Sequence, residues 1–171
     1  MNLYEFNQNN SGGYFVTDKN MCHRVFIEAS NAREAIEKAE QLGCYWDGVS
    51  KGIDCSCCGN RWDKWIEDDD FLNIEKINKD GYLVEIYGHY SNAKQLWEKQ
   101  YGGYTILEIP SWKEKTCREY SGKIIFKNAE EYIQFLADEY GWTKPDARIF
   151  YKDGTTKEIY SKKDLDNDNI I

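Results

Sequence analysis

Two histidines, two prolines and no run of basic residues mark a chain of 171 residues by what it withholds. With histidine this scarce, a catalytic zinc has no His-rich constellation to draw on. A Cys–His dyad would have to use His23 or His89, and neither carries a local signature. The missing basic patch excludes general nucleic-acid binding, because phosphate contacts need a basic face and the net charge is -8. No stretch approaches the roughly 18 apolar residues that span a bilayer. The opening MNLYEFNQNN has neither the basic leader nor the apolar core of a signal peptide. The expectation is a cytosolic protein without membrane contact, whose six cysteines are reduced thiols.

Several enzyme signatures are also missing. There is no P-loop, no G-x-G-x-x-G and no G-x-S-x-G. The closing DLDNDN places Asp164, Asp166 and Asp168 at calcium-loop spacing, but Asn169 stands where that loop needs glycine and no twelfth-position Glu follows. It is read as a polar tail.

What is present is material for a core. Hydrophobic residues make up 41% and aromatics 15%, with 13 Tyr and 6 Trp, so wholesale disorder is excluded. Three segments share one plan: SNAREAIEKAEQLG, SNAKQLWEKQYGG and KNAEEYIQFLADEYG. In each, Asn31, Asn92 or Asn128 stands three residues before Glu34, Gln95 or Glu131, the spacing of a capping box. Each then stops at Gly43, Gly102 or Gly141, suited to a left-handed helix end. Ala32, Ala35, Ile36, Ala39 and Leu42 fall on one helical face, as do Ala129, Tyr132, Ile133, Leu136 and Tyr140.

Strand-like runs flank these helices: RVFIEA, YLVEIYGHY, YTILEI, KIIFK, ARIFY and TKEIY, the last two joined by a turn at Asp153-Gly154. GGYFVT is expected to pair with RVFIEA through the polar turn at Asp18 to Asn20. The fold class is α+β, a mainly antiparallel sheet with about three helices packed on one face. The organisation is 1–62, a ββα unit with a cysteine-rich loop; 63–80, an acidic connector holding Glu67 to Asp70; and 81–171, an α+β portion that can join 1–62 in one compact domain.

Residues 52–62, GIDCSCCGNRW, concentrate the chemistry. Cys55 and Cys58 have the Cys-x-x-Cys-Gly spacing of half a structural zinc site, with Gly59 letting backbone N–H groups turn toward the sulfurs. A full site would take Cys44, or Cys22 with His23, while Cys57 is awkwardly placed to share the ion. The first reading is a sulfur-rich structural turn without cofactor, and the second is zinc, which thiolates favour over magnesium or calcium. Redox work fits less well, since a redox CxxC opens a helix whereas Asp54 and the glycines predict a loop. Arg61 is placed to pair with Asp54 as a surface interaction, and Trp62 to anchor the loop.

Together with VFIEASNAREAIEKAEQLGCYWDGVSKGIDCSCCGNRW, and with AEEYIQFLADEYGWTKPDARIFYKDGTTKEI near the other end, these residues resemble a family of small uncharacterised proteins of tailed bacteriophages. Asp54, Cys55, Cys57, Cys58, Gly59, Arg61 and Trp62 carry the most specific match, and 63–122 matches poorly. The resemblance implies a phage origin and no assigned activity.

Tyr82, Tyr87, Tyr90, Trp97, Tyr101 and Tyr104 crowd the middle of the chain, as aromatics do at interface hot spots, although about half of an alternating strand faces the core in any case. The functional expectation is a non-enzymatic binding protein acting on a host protein or host-made small molecule in the cytoplasm of an infected bacterium, with inhibition of a defence system as its use. The alternative is a small cysteine-dependent enzyme or redox protein centred on Cys55 to Cys58.

Overall fold

The computed structural model describes residues 2–64, 66–67, 71–89, 105–108 and 119–167. It is an α+β protein with a five-stranded mixed sheet and a separate three-stranded sheet. The chain forms two compact units, Met1–Asn73 with Ile133–Ile171, and Ile74–Tyr132. This differs from the division into 1–62, 63–80 and 81–171. The C-terminal segment belongs with the N-terminal one because their strands share a sheet.

In the first unit the sheet order is β3-β1-β2-β7-β8. It comprises β1 (Asn2–Asn7), β2 (Arg24–Ala29), β3 (Leu72–Asn73), β7 (Ala147–Phe150) and β8 (Thr156–Ile159). The partner of β2 is β1, not GGYFVT, and the pairing is antiparallel with Tyr4 opposite Ile27 and Phe6 opposite Val25. GGYFVT fails as a strand because Gly12 and Gly13 take φ of 74° and 83°, turning the chain before Tyr14. On its other side β2 pairs in parallel with β7, Phe26 opposite Ile149.

A strand between two neighbours in a covered sheet is buried on both sides. All six residues of β2 are buried, Val25, Phe26 and Ile27 completely. One face joins Tyr4, Phe6, Val25, Ile27 and Ala29 to Ala32, Ala35 and Ala39 of α1 (Ala32–Leu42), with Trp46 and Trp62 in the same core. The other side of β2 buries Phe26, worth about 2–3 kcal/mol for a side chain of that size. The β7–β8 connection is the five-residue loop 151–155, closed by Tyr151 N–H donating to the Thr155 carbonyl at 2.9 Å.

The cap of α1 has the expected residues with one change. Asn31 Oδ1 accepts from Glu34 N–H at 2.9 Å, but Glu34 reaches the backbone N–H of Ser30, one residue before the cap, at 2.7 Å. The same offset recurs at α3 (Ala129–Tyr140), where Asn128 Oδ1 accepts from Glu131 N–H and Glu131 accepts from Lys127 N–H, each at 2.9 Å. Gly43 ends α1 at φ 122°. Gly141 has no positive φ; it serves as a close approach, since a Cβ there would lie 2.3 Å from Asp146 Oδ1. Gly102 lies outside the described residues.

The second unit holds α2 (Ile74–Asp80), β4 (Tyr82–His89), β5 (Thr105–Glu108) and β6 (Glu119–Phe126). Its sheet is antiparallel in the order β4-β6-β5. Ile77, Phe126 and Ala129 are buried within it. A short last helix, α4 (Lys162–Asn167), returns to the first unit.

Candidate functional site

Residues 44–62 leave α1 as a chain of turns, and one buried ion pair organises them. Asp54 and Arg61 lie 3.8 Å apart with side chains only 1% and 3% exposed, so the interaction read as superficial is internal. Removed from water, both must be satisfied by hydrogen bonds. Asp54 Oδ1 accepts from the Tyr45 hydroxyl at 2.6 Å and its Oδ2 from the Arg61 backbone N–H at 2.7 Å. Arg61 Nη1 donates to Gln8 Oε1 and the Tyr14 carbonyl, and Nη2 to the Ser11 carbonyl. Its guanidinium also lies over the Tyr14 ring, 4.5 Å from the centroid. The cysteine loop is thereby fastened to residues 8–14.

On this base Cys55 to Gly59 form a tight turn. Cys58 and Gly59 N–H both donate to the Cys55 carbonyl, at 3.2 and 3.0 Å, and Gly59 takes φ 87°. Cys55 N–H is tied to Ser11 Oγ at 2.9 Å. The turn gathers three sulfurs: Cys55 Sγ is 2.7 Å from Cys57 Sγ, which is 3.6 Å from Cys58 Sγ, and all three lie within 4.8 Å of one another. Cys57 and Cys58 are exposed and Cys55 is half-buried. Hydrogen bonding from the Cys57 thiol, then from the backbone N–H groups of Cys57 and Cys58, lowers the Cys55 thiol to about 7. The Cys57 thiol rises to about 11, chiefly through its hydrogen bond to Cys55. Three sulfur donors on one surface turn fit a thiophilic ion.

The remaining candidate ligands are elsewhere. Cys22 is fully buried, its thiol donating to the Arg24 carbonyl at 3.1 Å, and burial pushes it up to about 12. Cys44 lies against Met21 sulfur at 3.9 Å and is likewise raised by burial to about 12. His23 packs its ring on Phe15 at 4.8 Å, with Nδ1 3.3 Å from Arg24 Nη1. Among the described residues the structure thus gathers Cys55 and Cys58 with Cys57, and does not bring Cys44, Cys22 or His23 into that group. Cys57 joins because the turn points neighbouring side chains to one side.

Beside this loop, within the first unit, lies a groove of about 450 Å³ lined by Asn7, Gln8, Asn9, Asn10, Phe15, His23 and Trp142. No charged side chain is among them. The Trp142 indole is 75% exposed. Burial, followed by the charge of Arg24, holds His23 down at about 4, so its imidazole is neutral at pH 7. The groove wall is braced by the cysteine loop, since Asn9 Nδ2 donates to the carbonyls of Cys58 at 2.7 Å and Asn60 at 3.2 Å. The run Asn7-Gln8-Asn9-Asn10 was the available sequence signal for this site; Trp142, far along the chain, had none.

Of the aromatic candidates, Tyr82 is half-buried in the second unit with its ring edge-on to Tyr132 at 4.9 Å. Tyr87 is in β4 opposite Ser121. The Tyr87 side chain and all of Tyr90, Trp97, Tyr101 and Tyr104 lie outside the described residues.

Residues 1–99 match a family model described as a domain of unknown function, DUF7296. No curated protein and no solved structure matches the chain. Among the described residues, no helix is long and apolar enough to cross a membrane.

Proposed function

The chain belongs to the DUF7296 family, whose description assigns no activity, and we propose that it is a non-enzymatic binding protein. The observation that carries this reading is the groove: four consecutive carboxamide residues, two rings and an exposed indole, without a carboxylate or nucleophile in the lining. Its volume is in the range of small-molecule sites. An imidazole held neutral offers hydrogen bonding at pH 7 and is too weak a base there to drive proton abstraction. Such a lining suits an uncharged, flat, hydrogen-bonding group, whether on a host-made small molecule or on the surface of a host protein.

The resemblance to tailed-phage proteins supplies the setting, the cytoplasm of an infected bacterium, and inhibition of a defence system is the use proposed for the binding. Zinc on the cysteine loop acts here as a structural brace for Asn9 and the groove wall. Affinity capture from host lysate with the wild type and with Trp142→Ala tests the reading. The wild type should retain a protein or small molecule that the variant loses. Absence of any partner, together with turnover of a nucleotide or peptide in a substrate screen, overturns it.

A second reading, cysteine-dependent redox or enzymatic work, draws on the surface position of Cys55 and its thiol near 7. It requires fast alkylation of Cys55 near neutral pH in the metal-free protein. Uniformly slow labelling of all six thiols removes it.

A further inference from the structure

A thiolate site with three donors on one turn leaves a tetrahedral ion one ligand short. We infer that Cys55, Cys57 and Cys58 bind one zinc ion whose fourth position is left open to a nitrogen or sulfur donor from a second molecule. The inference rests on the metal reading of the cysteine loop and adds what completes the coordination.

Structural zinc takes four protein ligands, so the fourth must be sought first within the chain. Among the described residues each nearby candidate is committed. Cys22 and Cys44 are core residues engaged with the Arg24 carbonyl and Met21 sulfur. His23 faces Phe15 and the Arg24 guanidinium. Asp54 is 1% exposed, with one oxygen taken by Tyr45 and the other by the Arg61 backbone. Among the described residues, the fastening that holds the loop thus also leaves the ion without a fourth internal ligand.

The sulfurs face outward. Cys57 and Cys58 are exposed, and Ile53, two residues before Cys55, is a large apolar side chain left 60% exposed. An approaching partner therefore meets apolar surface beside an unsaturated soft ion. Zinc with an open position exchanges that ligand readily, whereas a closed four-protein-ligand site does not. A cysteine thiolate or histidine imidazole of a bound protein matches zinc in softness, and a carboxylate or hydroxyl does less well.

The test uses the full chain stripped of metal and reloaded with zinc, and with cobalt as a spectroscopic stand-in. One equivalent should bind and should shield three cysteines, Cys55, Cys57 and Cys58, from alkylation mapped by mass spectrometry. Titration with imidazole or 2-mercaptoethanol should shift the cobalt absorption saturably. Cys57→Ser should lower zinc affinity by more than about tenfold. Since Cys57 is exposed, its circular dichroism and its melting in chelator should match the wild type. Cys44→Ser should keep the metal, as should Cys117→Ser and His89→Gln, at two side chains outside the described residues. A fourth cysteine shielded only on zinc loading, loss of metal on Cys117→Ser or His89→Gln, or cobalt bands unmoved by either probe would overturn the open position while leaving the metal reading intact. No metal uptake at all would overturn both.

Discussion

Arg61 is the side chain on which the cysteine loop depends. It is buried beside Asp54 and donates to three backbone or side-chain oxygens of residues 8–14. Arg61→Ala leaves Asp54 as an uncompensated buried charge, which costs about 3–5 kcal/mol in urea unfolding. Arg61→Lys should recover little, because one ammonium cannot reproduce the planar fork. A variant within about 0.5 kcal/mol of wild type would show that the network contributes nothing to stability. Gly48 is constrained by the same carboxylate. A Cβ there would sit 2.0 Å from Asp54 Oδ2 and 2.8 Å from a Tyr45 ring carbon. Asp54 is held on both oxygens and cannot retreat, so Gly48→Ala should destabilise by about 1–3 kcal/mol.

His23 gives a pH dependence at the same scale. Its folded pKa is about 4 against an ordinary 6.5, mainly through burial. Below 6.5 the unfolded chain takes up a proton that the folded chain refuses, so this residue's share of stability falls as pH drops from 6.5 toward 4. Glu5 and Asp146, raised by burial, act in the opposite sense, because their folded forms bind protons more readily. The comparison that isolates His23 is His23→Gln, whose melting temperature should decline less over that interval. Parallel curves for the two proteins would rule the contribution out.

Elements show what a sequence can and cannot announce. Helices α1 and α3 were legible because their signals are local: Asn31 and Asn128 cap three residues before a glutamate, and the alanines of α1 recur at helical spacing, whereas α2 and α4 fall in segments read as an acidic connector and a polar tail. Asn31→Ala should therefore cost about 1 kcal/mol, measured by thermal or urea unfolding, with a loss below about 0.3 kcal/mol denying the cap its role. The glutamate's offset to Ser30 was not legible, since it depends on where the extended cap residue sends the chain. Strand β1 was missed although Tyr4 and Phe6 alternate with Glu5, because the following NQNN run reads as polar loop. The sulfur turn was legible from Cys-x-x-Cys-Gly. Which sulfurs it gathers was not, because the burial of Cys22 and Cys44 follows from long-range packing. The groove was invisible for the same reason: Asn9 and Trp142 meet only after β7 has paired with β2.

At the scale of the whole chain, the family match and the first unit do not share a boundary. The match stops at residue 99, whereas the first unit also needs 133–171. The join is the parallel β2–β7 pairing, which runs from Arg24 opposite Ala147 to Ile27 opposite Phe150 and brings β8 with it. A chain ended at residue 99 would keep β1, β2, β3 and α1 but lose every residue on the far side of β2. Phe26, fully buried in the intact protein, would lose Ile149 beside it, and the N–H and C=O groups of β2 that face β7 would form an open, unpaired edge. Such edges pair with other chains. The shortened protein should therefore lack a cooperative melt and should associate in light scattering, and a peptide of residues 133–167 added in trans should restore part of the transition. A monomeric 1–99 with a melting temperature near that of the full chain would mean that β7 merely decorates the sheet. The register argues otherwise, because β2 is buried along its whole length, with Arg24 and Glu28 enclosed beside Phe26 on its second face, a pattern that a strand acquires only with neighbours on both sides.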